Sequence, residues 1–378
     1  MGNVRLTTSL KMRIIISFLL VSIIPTLIVS WLLFTQASFY LKENLFSYLK
    51  GFSEMKKRTL VMEVDNRKYQ IETAAQSLRV LNLLSSLYNG VGKDAFIGEL
   101  RECLRNILGE GTDFEEIYII DTAGKILVST EKGNEGKSVK DREYFEQGSI
   151  KTYFQDFFLS SVTGRSSLVV ASPIKKQNGT LLGVLAGRIN LDEFYKIISD
   201  VSGLGSSGES CIGNKGDGEA VILTPTRNDP NSALNVKIKF GDDIGTPMQQ
   251  AVHGNEGEGL AKDYRGKMVM ASWKYIPDVK WGIVTKMDQE EFEKPMAKWR
   301  WYVLLVSFDI IIIVGVVAYI FAVTIVKPIN LLTNAAERIS KGETGIKIDT
   351  SAKDEIGNLA RSFERMLAAI KIFMENKE

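Results

Sequence analysis

Residues 302–326 read YVLLVSFDIIIIVGVVAYIFAVTIV, and how this run is understood decides the rest of the chain. At about 1.5 Å of rise per helical residue, it is long enough to cross ~30 Å of bilayer hydrocarbon with some tilt. Asp309 is its one charged residue. Trp299-Arg300-Trp301-Tyr302 stand at its start, the aromatic and basic belt expected where a helix leaves the bilayer. Lys327-Pro328 follow, and the apolar pattern then changes to a spaced heptad. A region ahead of the run is thereby joined to a region behind it through one membrane helix, the arrangement of a signalling protein. An acid inside a span is costly and faces protein or water. Asp309 therefore either hydrogen-bonds within a helix bundle, responds to protons or ions, or lies hydrated near the interface.

Toward the N-terminus, residues 14–34 form a second apolar run, preceded by Arg5, Lys11 and Arg13 and by no acidic residue. A cleaved signal peptide would show an apolar core of about 7–15 residues and an A-x-A site. This core is longer and no clear site follows it, so a retained membrane helix is expected. Pro25 is compatible with that, because neighbouring groups in a membrane helix re-satisfy the carbonyl that a proline frees. The basic tail, residues 1–13, places the N-terminus in the cytosol. Two spans then leave residues 35–301 periplasmic or extracellular and residues 327–378 cytosolic. The expectation is a multi-pass protein of a bacterial cytoplasmic membrane, with lipid as a partner.

Composition excludes several function classes. Lys and Arg number 47 against 45 Asp and Glu, so bulk charge gives a nucleic-acid partner no support. The single histidine, His253, excludes most His-based metal and triad chemistry. Cys103 and Cys211 make no disulfide framework and are expected as two separate buried thiols. No phosphate-binding glycine loop runs into Lys-Ser or Lys-Thr, and Gly213-x-x-Gly216-x-Gly218 is too short and loop-like for a dinucleotide site. The sequence predicts no catalytic residue, no metal and no cofactor, and so no enzyme within this chain.

Between the spans, residues 38–84 lack proline and contain one glycine, Gly51. Leu41, Leu45, Tyr48, Phe52, Met55 and Met62 fall on a 4-3 spacing. That predicts one long helix, roughly 70 Å, with a heptad seam. The seam packs either on its own domain or on a second copy; the second reading makes the protein a homodimer. Asn89-Gly90-Val91-Gly92 breaks the pattern before a further helix to residue 108. Strand signals follow at 116–121 and 125–129, joined by Thr122-Ala123-Gly124, and then at 156–160, 166–175 and 181–189. Asn178-Gly179 between the last two is a type I′ turn signal. A linking helix is expected over 191–201, then a smaller set of strands at 209–212, 220–223, 259–264, 268–273 and 281–287. Asp263-Tyr264-Arg265-Gly266 marks a tight turn in that set, and residues 226–257 read as loop with one short helix. The predicted class is α+β, with two units in series after the long helix, at residues 110–190 and 203–290.

This layout resembles a double Cache (dCache) sensor domain, a PAS-like fold, over residues 35–301. The phrases that carry the resemblance are Asp141-Arg142-Glu143-Tyr144-Phe145, Thr163-Gly164-Arg165, Gly183-Val184-Leu185-Ala186-Gly187-Arg188-Ile189-Asn190-Leu191 and Asp263-Tyr264-Arg265-Gly266. It implies a ligand pocket in the distal unit, 110–190, where an Arg-x-aromatic-aromatic element holds a carboxylate. Arg142, Tyr144 and Phe145 match that element, and a guanidinium desolvated by rings is suited to bidentate pairing. The family also gathers a Tyr and two Asp around the ligand's ammonium; the corresponding positions here are Phe158, Ser160 and Arg188. A cation in place of an acid repels an amino group. The expected ligand is thus a small anion such as an organic acid, held by Arg142 and Arg188, with Tyr118, Tyr144, Phe145 and Phe158 lining the pocket. The alternatives are that Arg142 caps or braces its helix and that Arg188 faces solvent at a strand end.

After the second span, Pro328 opens a helix whose Ile329, Leu332, Ala336 and Ile339 keep a 3-4-3 spacing up to Gly342. Beyond a connector, Asp354-Glu355-Ile356-Gly357 opens another, with Ile356, Leu359, Phe363, Met366, Ile370 and Phe373 as its seam. Two short seamed helices need a second copy to bury both seams, as in a parallel four-helix bundle. Residues 327–378 resemble a HAMP domain in these elements, a helical coiled coil; Thr344 departs from its usual large apolar connector residue. The resemblance implies a relay to a chemotaxis module, a histidine kinase, a cyclase or a phosphatase, in a missing C-terminal domain or a separate cytoplasmic signalling protein. The expected function is a transmembrane receptor for a small extracytoplasmic ligand, as in a chemotaxis receptor. The competing readings are the regulatory half of a sensor histidine kinase or cyclase, and a membrane-anchored solute-binding protein without output.

Overall fold

Leu10–Ala75 is one uninterrupted helix, α1, in a computed structural model that describes residues 10–88, 93–109, 113–343 and 345–375. The expected break at 89–92 and the departing Thr344 lie outside the described residues. The chain divides into two compact units, one of residues 42–293 and one of residues 1–41 with 294–378.

In the 42–293 unit, α1 buries Leu49, Ser53, Lys56, Leu60, Val64, Arg67 and Ile71. The spacing is heptad-like, but it lies one position round the helix from the seam the sequence suggested: Tyr48, Met55 and Met62 are exposed, Met62 by 71%. Hydropathy hides the buried stripe because three of its members are polar and held by partners. Ser53 donates to the Ser272 carbonyl at 3.4 Å, Lys56 to the Ile197 carbonyl at 2.5 Å, and Arg67 pairs with Asp113 at 2.8 Å and Glu63 at 3.1 Å. The helix also ends at Ala75, short of the predicted residue 84. Ser77 accepts the Val80 N–H at 3.4 Å and starts a separate helix, α2 (Leu78–Tyr88), with α3 (Lys93–Leu108) after it.

A first module follows: β1 (Phe114–Ile120), β2 (Ile126–Ser129), α4 (Glu143–Gly148), β3 (Tyr153–Leu159), β4 (Ser166–Lys175) and β5 (Leu181–Ile189). Its antiparallel sheet has the order β2-β1-β5-β4-β3. Then α5 (Leu191–Ser199) leads to a second module of β6 (Glu209–Lys215), β7 (Glu219–Ile222), β8 (Lys237–Lys239), α6 (Thr246–Val252), β9 (Gly257–Lys262), β10 (Met268–Ile276) and β11 (Trp281–Asp288). Its order, β8-β7-β6-β11-β10-β9, repeats the first with β8 added at the edge. That added strand falls in the stretch expected as loop, and its three residues, Lys-Ile-Lys, are too few to show a period.

Alternate residues of a strand face opposite sides. Ile117, Ile119, Leu168, Val170 and Leu185 therefore share a core with Leu60, Ile71, Leu84 and Leu100 of the helices, while Tyr118, Ile120, Val169, Ala171, Val184 and Ala186 form a second core with Tyr144 and Phe145 of α4. At Gly187 a Cβ would sit 2.6 Å from Ile71 Cδ1 and 2.8 Å from Phe114 Cδ1, so α1 reaches β5 only over a glycine. The first core runs on into the second module through Trp281, which is fully buried and ringed by Phe154, Phe157 and Phe194, each with its centroid 5.8 Å away. Asp156 on β3 accepts from Trp281 Nε1 and from Asn214 Nδ2, both at 2.7 Å, and so pins the first sheet to the second. Cys103 and Cys211 are separate buried thiols, and burial pushes Cys211 up to about 12.

The other unit holds the first part of α1, α7 (Gln289–Phe321) from residue 294, a π-helical turn (Ala322–Val326), α8 (Lys327–Ser340) and α9 (Glu355–Glu375). Here α1 and α7 run antiparallel: Phe18 meets Phe321 at 5.7 Å between centroids, Ser30 Oγ lies 3.0 Å from Ser307 Oγ, and Ser38 lies 3.8 Å from Met296 Sδ. Each helix contains a stretch long and apolar enough to cross a membrane. Around Pro25 the hydroxyls of Ser22 and Thr26 donate back to the carbonyls of Phe18 and Ser22 at 2.7 Å, local polar contacts of the kind that accompany a proline in a membrane helix. Asp309 is exposed on α7.

Candidate ligand-binding site

Helix α4 sets the site on the first sheet. Arg142 occupies its N-cap position in extended conformation, and its carbonyl accepts the N–H groups of Phe145 and Glu146 at 2.9 and 3.1 Å. The side chain does no capping. Instead the guanidinium lies over the Phe158 ring, 5.7 Å from its centroid, and forms no ion pair among the described residues. Two residues on, the Tyr144 N–H donates to Gln155 Oε1 at 2.9 Å, and the side chain is buried. Tyr144 packs edge-on to Tyr118 at 6.4 Å and tilted to Phe158 at 5.9 Å. Burial holds both phenols above their ordinary range, so they are neutral hydroxyls that donate or accept. Phe145 is buried in the same cluster. The structure thus brings Arg142, Tyr144, Phe145, Tyr118 and Phe158 together on one face.

Arg188 shares that face through β5, opposite Glu116 and two residues from the Tyr118–Ala186 pair. It does not face solvent. It is 6% exposed, and its Nη2 pairs with Glu116 Oε2 at 2.8 Å, while its Nε has no partner among the described residues. Glu116, 1% exposed, also accepts from Ser129 Oγ at 2.5 Å and from Asn134 Nδ2 at 3.0 Å. No local pattern marks Glu116, since only the strand register sets it opposite Arg188. Ser160 is buried but spends its hydroxyl on the turn, accepting from the Val162 and Thr163 N–H groups at 3.2 and 3.3 Å.

The second module repeats the cross-strand pair. Lys286 on β11 lies opposite Glu209 on β6, as Arg188 on β5 lies opposite Glu116 on β1. Each cation stands three residues before the next helix, α7 or α5.

Among the relay candidates, Pro328 stands in the first turn of α8, and Gly342 ends that helix at φ +92°. Asp354 Oδ1 accepts the Gly357 N–H at 2.9 Å, a side-chain cap that starts α9 at Glu355. A Cβ at Gly357 would fall 1.8 Å from the Ala352 carbonyl oxygen, so only glycine fits. Ile356 beside it is half-buried. Leu332, Ala335, Ala360 and Leu367 are the buried apolar side chains described on these two helices, whereas Leu359 and Met366 of the expected seam stay exposed. An apolar edge is thus left without a partner among the described residues.

A family model described as Cache domain matches residues 43–296, and one described as HAMP domain matches residues 320–371. Among curated proteins, the chain is 22% identical over 369 residues to a probable methyl-accepting chemotaxis protein of Bacillus thuringiensis subsp. konkukian, covering 96% of this chain and 52% of that one. It is 23% identical over 373 residues to the methyl-accepting chemotaxis protein TlpB of Bacillus subtilis, covering 96% and 51%. The chain spans about half the length of the curated relatives it matches. Among solved structures, the ligand-binding domain of the Pseudomonas fluorescens chemoreceptor CtaA in complex with L-alanine is similar at 18% identity and a TM-score of 0.44, covering 65% of this chain and 97% of that one. With a Cache model matching more than half of its 378 residues, two sheets of one repeated order and a capped helix pair after the second apolar helix, the chain belongs to the Cache domain family, in its double form, and carries a HAMP domain.

Proposed function

We propose that this chain is the sensing and relay portion of a transmembrane chemoreceptor that detects a small carboxylate outside the cytoplasm. Arg142 carries the reading: a guanidinium without an ion pair among the described residues, set over the Phe158 ring beside two buried phenols. Such a group takes a carboxylate in bidentate fashion, and the rings exclude the water that would weaken the pair. Arg188 is already neutralised by Glu116. The face therefore offers one net positive charge, from Arg142, and suits a monoanion.

The apolar stretches of α1 and α7 support two spans, with residues 35–301 outside and the HAMP helices in the cytosol. Tyr48, Met55, Met62 and Tyr69 lie seven residues apart on α1, each at least 46% exposed, and support pairing with a second copy. The output is a cytoplasmic signalling module of the methyl-accepting type, in the same polypeptide or a separate protein.

Isothermal titration of the full chain in detergent, against organic acids and separately against amino acids, tests the ligand class. A charge-assisted contact contributes about 1.5–3 kcal/mol, so Arg142→Ala should weaken the responding acid roughly 10- to 150-fold. Binding of amino acids alone, or organic-acid binding indifferent to Arg142→Ala, rules the reading out.

A further inference from the structure

The second module has no room for a guest. On its concave side, lined by Cys211, Asp263, Tyr264 and Lys286, the free space comes to about 10 Å³, no more than one water. What fills it is the Lys286 side chain, 1% exposed. Its ammonium lies 2.6 Å from Glu209 Oε2, in contact with Asp263 Oδ2, and 4.4 Å from the centroid of the Tyr264 ring. Two carboxylates and a ring face are the groups that recognise a primary ammonium ion.

The receiving groups are themselves fixed from behind. Glu209 Oε1 accepts the Arg227 N–H at 2.5 Å and the Tyr264 hydroxyl at 3.2 Å, and that hydroxyl lies 2.9 Å from Thr226 Oγ1. Asp263 Oδ2 accepts from Arg265 Nε at 2.6 Å, and its Oδ1 takes the N–H groups of Arg265 and Lys267 at 2.8 and 3.2 Å. Burial disfavours the Asp263 carboxylate, but Lys286 and Arg265 outweigh it and keep the group ionised.

The first module shows what differs. There the equivalent cation, Arg188, has its cross-strand carboxylate but an unpartnered Nε, and the residue directly after β3 is Ser160, where Asp263 stands directly after β9. One module is left with an open valence, and the other closes it from within.

We propose that the second module is liganded by its own chain: Lys286 is a tethered alkylammonium ligand, and Glu209, Asp263 and Tyr264 form a site for a primary alkylammonium group. This site lies in the second module alone and is independent of what binds near Arg142.

Lys286→Ala deletes three methylene carbons and the ammonium, the atoms of n-propylammonium. The full chain in detergent should lose about 6 °C or more in Tm, because removing one partner of a buried pair strands its carboxylates. Adding n-propylammonium chloride, against equal potassium chloride, should raise the Tm of Lys286→Ala and not that of the parent, with a rise that grows with concentration above Kd. The isosteric n-propanol should do nothing. Equal rescue by n-propanol, or no response to the amine, overturns the proposal. Lys286→Met covers the case in which the alanine protein does not fold, since it keeps the packed volume and loses only the charge. Its Tm should fall and should partly recover on adding Glu209→Gln; a Lys286→Met protein as stable as the parent would equally refute a bound ammonium.

Discussion

Replacing Trp281 with phenylalanine tests how the two sheets are held to one another. The substitution keeps a ring among Phe154, Phe157 and Phe194 but removes the Nε1–H that donates to Asp156 Oδ1 at 2.7 Å. Asp156 then keeps two donors, Asn214 Nδ2 and the Phe157 N–H, also at 2.7 Å. A hydrogen bond to a charged group contributes about 1.5–3 kcal/mol, and the space left by the larger ring adds about 1 kcal/mol. The sum, about 2.5–4 kcal/mol, lowers the Tm of a domain of this size by roughly 5–16 °C. The loss should also depend on pH. Burial holds the Asp156 carboxyl above its ordinary value against its three donors, so folding favours the protonated form, and the group's contribution improves as pH falls through the folded value. With one donor gone the folded value rises further. The deficit of Trp281→Phe is then full in neutral buffer and shrinks toward acid. Scanning calorimetry of the full chain in detergent, in parent and Asp156→Asn backgrounds, measures both effects. A deficit that is flat with pH and equally large in the Asp156→Asn background would refute the role given to this bond.

Two further outcomes follow from other parts of the chain. Met62→Glu puts a charge on the exposed stripe of α1, so cross-linking in membranes should lose the paired species while Tm changes by no more than about 2 °C; undiminished pairing would assign the stripe no such role. Glu291 is opposed by burial but receives the Ser206 and Ser207 N–H groups, both at 2.7 Å, and both hydroxyls, which together bring its carboxyl down to about 2. Its contribution is present above the ordinary value of 4.5 and lost as pH falls toward 2, so Glu291→Gln should flatten the acid limb of a Tm–pH profile, and an unchanged limb would count against the nest.

Much of the fold was legible because period and turn chemistry are local. Apart from β8, the strands of both modules and the Asp354 start of α9 stand where alternation and a capping side chain put them; the turn at Asn178-Gly179 is there too, but only Gly179 takes positive φ, +86°, so it is not the type I′ turn expected. The stripe that α1 buries within its own domain was not legible. That helix has apolar residues on two adjacent stripes, and the buried stripe includes Lys56 and Arg67, which a hydropathy count assigns to solvent. The site was half legible for a related reason. Arg142 and Tyr144 lie two residues apart and their chemistry shows in one phrase, whereas Glu116 acquires meaning only from the strand register that sets it opposite Arg188.

The wide turn at Ala322–Val326 holds roughly one residue more than the helix on either side of it. Its hydroxyl, on Thr324, donates back to the Ile320 carbonyl at 2.8 Å. Tightening this turn to ordinary pitch would swing everything from Lys327 onward by about 100°, the angle of a single residue. No unfolding is needed for such a step. Pro328, with no N–H to return to the turn before it, stands just past this joint and favours the wide geometry over the tight one.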